Sequence, residues 1–189
     1  MDASAQLPAQ LDQSVDMILQ ETARSNPILR FKKGEFLIGE DTVPLGQEYI
    51  AHPLDWSRGW CRWEDGSVVE QKIGRVVDGY RPPEKEQLPA GDWAALNVLP
   101  LEDVNSGDYV LFISNSFGGK VAVEKLANAT ARAVKAGRGE ATPLIRLAVA
   151  EFQSKQYGTI TRPSFEIVNG QPEKIATVKS VDPNDEIPF

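Results

Sequence analysis

The pattern of apolar and polar residues changes at Ile28, where runs typical of β-strands begin. Alternating polarity and β-branched or aromatic residues predict strands at positions 31–38, 49–51, 58–63, 67–77, 109–114, 143–152 and 157–168. Asp65-Gly66 lies between the third and fourth runs, and an Asp-Gly pair in such a place is a strong hairpin signal. The pattern therefore predicts a mainly β domain in which residues 58–77 form a hairpin.

One helix is predicted among these strands, over residues 120–136. We expect its buried stripe to consist of Val121, Leu126, Ala129, Ala133 and Val134. Phe117-Gly118-Gly119 is expected to break the chain just before the helix. Residues 80–92 contain three prolines and a glycine, so we expect a long loop there.

Several antiparallel strands, one helix and two further strands fit the five-stranded barrel of the OB-fold. We therefore predict an OB-fold-like antiparallel barrel over residues 27–170, with extra strands near residues 34–51 and 108–114 as elaborations. A generic α+β sheet with one packed helix is the alternative. Residues 1–26 form either a weakly helical arm or a disordered leader, and residues 171–189 are predicted to be a disordered acidic tail.

Charge is distributed unevenly along the 189 residues, whose net charge is −7. Residues 114–163 hold eight basic and three acidic side chains, whereas both ends of the chain are acidic. The net charge argues against a nucleic-acid partner, but the basic segment is compatible with one. Cys61 is the only cysteine, and no apolar run has the length of a membrane span, so we expect a cytoplasmic protein without a membrane partner.

The tryptophans near the predicted hairpin are candidate stacking platforms for bases. Trp60 has the same parity as Arg58 and Arg62, and Trp63 has the parity of Cys61, so the two tryptophans point to opposite faces of a regular strand. We predict that Trp60 with its two arginines is the exposed platform, and we add Trp56 and Trp63 as candidates. The alternative is that the tryptophans pack inside the hairpin or the core.

Further candidates for DNA contacts combine an aromatic ring or a positive charge with a position near a turn. Phe117 either stacks on a base or anchors its loop to the core. The remaining candidates are Lys72, Arg75, Lys120, Lys155, Tyr157 and Arg162, followed by Tyr80 and Trp93.

The C-terminal tip is a short acidic run closed by an apolar plug. Its candidate partner-binding residues are Asp182, Asp185, Glu186, Ile187, Pro188 and Phe189. Such a tip suits an apolar pocket with a basic rim on another protein. A solvated tail without a partner is the alternative.

The ending Asp185-Glu186-Ile187-Pro188-Phe189 resembles the C-terminal peptide of bacterial single-stranded DNA-binding proteins. The resemblance implies a protein, encoded by a bacterial or a phage genome, that protects single-stranded DNA without sequence preference. It also implies that the tip recruits replication, recombination and repair proteins. Whether the chain forms a homo-oligomer stays open.

Catalytic motifs are absent from the sequence, so we expect no enzyme, no cofactor and no bound metal ion. Gly118-Gly119-Lys120 resembles part of a phosphate-binding loop, but Ser114 replaces its first glycine and Val121 its Ser or Thr. Two other functions stay open. One is an interaction protein that uses the tip to occupy pockets for such tails without binding DNA, and the other is a metal-dependent nuclease.

Overall fold

The computed structural model describes residues 26–64, 67–154 and 158–168. Within them the chain forms one α-helix, α1 (Phe117–Lys135), and ten strands. The strands are β1 (Ile28–Lys32), β2 (Glu35–Ile38), β3 (Asp41–Val43), β4 (Glu48–Ala51), β5 (Ser57–Glu64), β6 (Ser67–Arg75), β7 (Asp92–Asp103), β8 (Tyr109–Ser114), β9 (Leu144–Ser154) and β10 (Gly158–Ile167). No helix of this described part is long and apolar enough to cross a membrane.

All ten strands belong to one strongly curled half-barrel sheet. The main path runs β10-β9-β4-β7-β8-β1-β2-β3, and the β5–β6 hairpin joins it through β7. The prediction of a mainly β fold with one helix is confirmed, and the curled sheet is compatible with an OB-fold. One strand pair departs from an all-antiparallel barrel, because β1 and β8 run parallel.

Two of the strands expected as elaborations, β4 and β8, are instead interior strands of the sheet, whereas β2 and β3 lie at its end. β4 lies between β7 and β9, and β8 lies between β7 and β1. The physical reason is the length of β7, a strand of 12 residues in a region where no strand was predicted. One edge of β7 pairs first with β5 and then with β4, while β8 pairs along the other edge.

Pro100 lies where β7 changes partner from β5 to β4. The β5 pairing reaches Val98, and the β4 pairing starts at Leu101. The carbonyl of Pro100 accepts a hydrogen bond from the amide of His52, so the side of Pro100 that lacks an N–H faces this gap. A proline is tolerated inside the strand because no ladder bond is lost there.

Aromatic side chains close the curl from the inside. Phe165 on β10 lies 5.1 Å from Phe112 on β8 and 6.4 Å from Phe36 on β2, measured between ring centroids. These three strands are not neighbours in the ladder, so ring packing brings the end strand β10 against the opposite side of the sheet. The fully buried Leu99 and Leu101 of β7 belong to the same core.

Helix α1 packs against this core along a stripe different from the predicted one. Its buried residues are Gly119, Ala122, Val123, Leu126 and Thr130, so only Leu126 of the expected stripe is correct. The helix also begins one turn earlier, because the Ser116 side chain accepts a hydrogen bond from the Gly119 amide and caps it. The two glycines therefore lie in the first helical turn rather than in a break, and Gly119 is part of the buried face.

The predicted hairpin is confirmed by the pairing of β5 with β6 on both sides of Asp65-Gly66. The predicted loop at residues 80–92 is also present, with one short 3₁₀ turn at Lys85–Gln87. This loop covers part of the sheet that the sequence suggested for DNA binding.

Candidate nucleic-acid interface

Arg58, Trp60 and Arg62 share one face of β5, as the strand alternation predicts. The intervening residues Gly59 and Cys61 are buried on the opposite side of the strand. Burial also raises the pKa of the Cys61 thiol, so this lone cysteine is poorly suited to act as a nucleophile.

The predicted Trp60 platform lies under the loop of residues 80–91. The indole N–H of Trp60 donates to the carbonyl of Pro83, and that of Trp93 donates to the carbonyl of Pro89, each at 2.8 Å. The Tyr80 ring lies so close above Gly74 that an added Cβ there would be 2.5 Å from it. Trp60 is consequently half-buried, and no open stacking surface exists at this position in the described structure.

Trp63 is more exposed than its alternation with Cys61 predicts, whereas Trp56, a candidate for base stacking, is buried. The register shifts between Arg62 and Trp63, and Trp63 is 40% exposed near the end of the hairpin. Trp56 is only 5% exposed and belongs to the main core, where it is a structural side chain.

Most of the predicted DNA-contacting cations already have acidic partners. Arg62 and Lys72 both contact Glu70, at 3.3 and 3.2 Å, and Arg62 also contacts Glu64. The other pairs are Arg75–Asp55 at 2.9 Å, Arg58–Glu124 at 3.9 Å and Lys120–Glu124 at 3.6 Å. A phosphate approaching any of these groups would compete with a carboxylate, which lowers the electrostatic gain.

Arg162 differs from those cations, because it makes no ion pair within the described part of the chain. Its guanidinium carbon lies 5.7 Å from the centroid of the Phe152 ring. Phe152 is 39% exposed on the neighbouring strand β9. This stacked pair presents an aromatic ring and a positive charge together on the β9–β10 hairpin.

Helix α1 approaches Arg162 with its first turn. A Cβ added at Gly118 would lie 3.0 Å from the Cβ of Arg162. Phe117, the residue before Gly118, is 74% exposed, so it does not anchor its loop to the core. The exposed position of Phe117 is therefore compatible with stacking on a base.

Lys125 lies on the same flank of α1 as Gly118, because seven residues make two helical turns. Partial desolvation first and the nearby Arg162 guanidinium second lower the pKa of Lys125. Like Arg162, Lys125 makes no ion pair with another described residue. Two cations that repel one another without an acidic partner form a site at which an anion would relieve the repulsion.

We call Phe117, Lys125, Phe152 and Arg162 the aromatic–basic face. Positive charge continues from it along α1, since Arg132 follows Lys125 by two further turns. Arg132 and Lys135 line an open depression of about 390 Å³ together with Asn128 and Ala131. The face and the depression form a basic strip on one side of the helix.

Several predicted site residues fall outside the described residues. They are Lys155, Tyr157, Asp182, Asp185, Glu186, Ile187, Pro188 and Phe189. Arg162 is the predicted cation that the structure places in the aromatic–basic face, together with Phe117. Lys125 and Phe152 were missed because one appeared as an ordinary helix-surface charge and the other as the end of an apolar strand.

The residues described by the structure include no group of three or more His, Cys, Asp or Glu side chains placed to hold a metal ion. Comparisons of the chain with family models, with curated proteins and with solved structures find no match.

Proposed function

We propose that this chain binds single-stranded DNA without strong sequence preference through the aromatic–basic face. Nonspecific binding of a single strand requires exposed aromatic rings for the bases and cations for the phosphates. Phe117 and Phe152 supply the rings, and Arg162 and Lys125 supply the charges. This binding involves no enzymatic step and no cofactor.

The observation that carries this proposal is geometric: Arg162 lies over the exposed Phe152 ring and against the first turn of α1, on the flank that also holds Lys125, and neither cation has an acidic partner among the described residues. Two neighbouring cations without an acidic partner repel each other, an anion relieves that repulsion, and a phosphate backbone supplies one anion per nucleotide. The Ser116-capped start of α1 and the β9–β10 hairpin hold the two cations and the two rings in place.

An OB-fold arrangement of the curled sheet agrees with the location of this face. In OB-folds the loop between the last two strands helps to line the binding groove, and here Lys155 and Tyr157 belong to that connection. The expected location is the cytoplasm of a bacterial cell, where replication and repair expose single strands.

The interaction-protein alternative has one observation in its favour. The predicted platform around Trp60 is covered, and the cations Arg58, Arg62 and Lys72 beside it are paired with carboxylates. A chain that acts only through its tail requires no open nucleic-acid surface. Failure of the wild-type chain to bind an oligonucleotide at low salt would favour this alternative.

Phe117 provides a direct test of stacking. We expect Phe117→Ala to weaken binding of a labelled oligo-dT by about 1–3 kcal/mol, the usual loss for one base–aromatic contact. Fluorescence anisotropy titrations measure the loss. Because Phe117 is 74% exposed, its removal should change the free energy of unfolding by no more than about 0.5 kcal/mol.

Leu45→Ala is the matched control, since Leu45 is 57% exposed in the turn between β3 and β4. It removes exposed apolar area away from the aromatic–basic face and should leave oligo-dT affinity unchanged. Equal binding by Phe117→Ala and the wild type would contradict the stacking role.

We propose that the C-terminal tip recruits DNA-metabolism proteins. Deleting Ile187-Pro188-Phe189 should abolish capture of those proteins from a bacterial lysate, because the apolar plug is lost while most of the tail charge stays. DNA affinity should stay equal or rise, since the acidic tail competes with phosphates for cations. Quantitative pull-down with the free tip peptide as competitor measures this effect, and capture that survives the deletion would refute the recruiting role.

A further inference from the structure

Strand β6 has an unpaired edge. It pairs with β5 on one side, and no described strand pairs with its other side. Val68 and Val69 on this strand are 38% and 45% exposed, and Trp63, which is paired with Val68 across the hairpin, is 40% exposed. A free strand edge beside exposed apolar side chains is a template for pairing with another chain.

The order of residues along β6 is complementary to itself. If a second copy runs antiparallel about a twofold axis at Gln71, Glu70 of each copy lies opposite Lys72 of the other. Val69 then lies opposite Ile73 on the other face of the sheet. Opposite charges and β-branched residues directly across from one another stabilise antiparallel strands.

Neighbouring registers are disfavoured by the same residues. A twofold axis at Glu70 would place two glutamates opposite each other, and an axis at Lys72 would place two lysines opposite each other. Like charges in directly opposed positions destabilise a strand pair. The charge pattern thus favours the register with the twofold axis at Gln71. Because β6 is complementary to a second β6 in this register, the expected partner is another copy of the same chain.

We propose that two copies of this chain associate through antiparallel β6–β6 pairing and form one continuous sheet. This dimer does not depend on nucleic-acid binding. Within each copy Glu70 already contacts Lys72 at 3.2 Å and Arg62 at 3.3 Å. Pairing would extend this ion pair into an alternating row across the twofold axis, while the exposed Val69 becomes covered on the other face beside Ile73, which is already buried.

Disulfide trapping tests both the partner and the register. Gln71→Cys should cross-link to itself under mild oxidation, and Glu70→Cys should cross-link to Lys72→Cys when the two proteins are mixed. Glu70→Cys alone should cross-link at least tenfold more slowly. The wild type is the background control, because its Cys61 is buried. Non-reducing electrophoresis measures the products.

Light scattering of the wild type gives an independent result that does not depend on any variant. The expected mass is twice the chain mass of 20.8 kDa, falling on dilution. Lys72→Glu, which sets Glu opposite Glu, should raise the dimer dissociation constant at least tenfold while circular dichroism stays unchanged. A monomer mass throughout the dilution series, or equal cross-linking of Glu70→Cys with itself and with Lys72→Cys, would overturn the proposal.

Discussion

Gly59→Ala is expected to lower the free energy of unfolding by about 3 kcal/mol, at the upper end for overpacking a closely packed site. Gly59 lies in the middle of β5, directly opposite Ile73 of β6. A Cβ at this position would lie 1.9 Å from the carbonyl oxygen of Lys72 and 2.8 Å from the Cα of Ile73. Both neighbours are backbone atoms, so the strands themselves would have to separate.

Gly118→Ala is the matched control for this substitution. Its new Cβ would meet the Cβ of Arg162 at 3.0 Å, and a shift of a few tenths of an ångström between α1 and β10 relieves the contact. Alanine is also the better helix former by about 1 kcal/mol, which offsets the crowding. Urea unfolding should separate the two variants, and equal midpoints would contradict the close strand approach at Gly59.

Neutralising the unpaired cations is expected to have the largest effect on DNA binding. The double variant Lys125→Gln/Arg162→Gln should lose roughly 50-fold in oligo-dT affinity at about 50 mM salt, if each cation contacts one phosphate. Glutamine keeps most of the side-chain length, so packing around Gly118 and Phe152 should persist. Anisotropy titrations measure the affinity, and circular dichroism checks the fold.

Arg81→Gln/Lys85→Gln is the control with the same change of net charge. Both residues are exposed on the loop of residues 80–91, and neither makes an ion pair with another described residue. If overall charge governs binding, the two double variants should lose affinity equally. If the aromatic–basic face binds the strand, only the variant at Lys125 and Arg162 should lose it strongly.

The sequence predicted those elements well whose formation depends on residues close together in the chain. The Asp65-Gly66 hairpin and the single helix depend on turn residues and on periodicity within a short window. Strand β7 was missed because Pro100 interrupts its pattern and because residues on both of its faces are buried. The gap between two partner strands, which makes a proline acceptable there, is visible only in the assembled sheet.

The candidate site was predicted only in part for a related reason. The alternation of residues along β5 correctly predicted that Arg58, Trp60 and Arg62 share one face. It could not show that the carbonyl of Pro83, more than twenty residues away, binds the Trp60 indole and covers that face. Exposure of a side chain depends on such long-range contacts, whereas its position on a strand depends on spacing alone.

Arg162 was predicted from its place near a turn, but its neighbours were not. The contact of Arg162 with Phe152 requires the register of β9 and β10, and its proximity to Lys125 requires the docking of α1 on β10. The basic composition of residues 114–163 was the available signal. It indicated the right region of the chain without identifying which charges lack acidic partners.

The salt dependence of oligo-dT binding by the wild type and by Lys125→Gln/Arg162→Gln tests the central claim most directly. The logarithm of the wild-type binding constant should fall linearly with the logarithm of salt concentration. For the variant the slope should be shallower by about 1.4, since each phosphate contact on a single strand contributes about 0.7. No wild-type binding at low salt, or the same slope for both proteins, would contradict binding of single-stranded DNA at the aromatic–basic face.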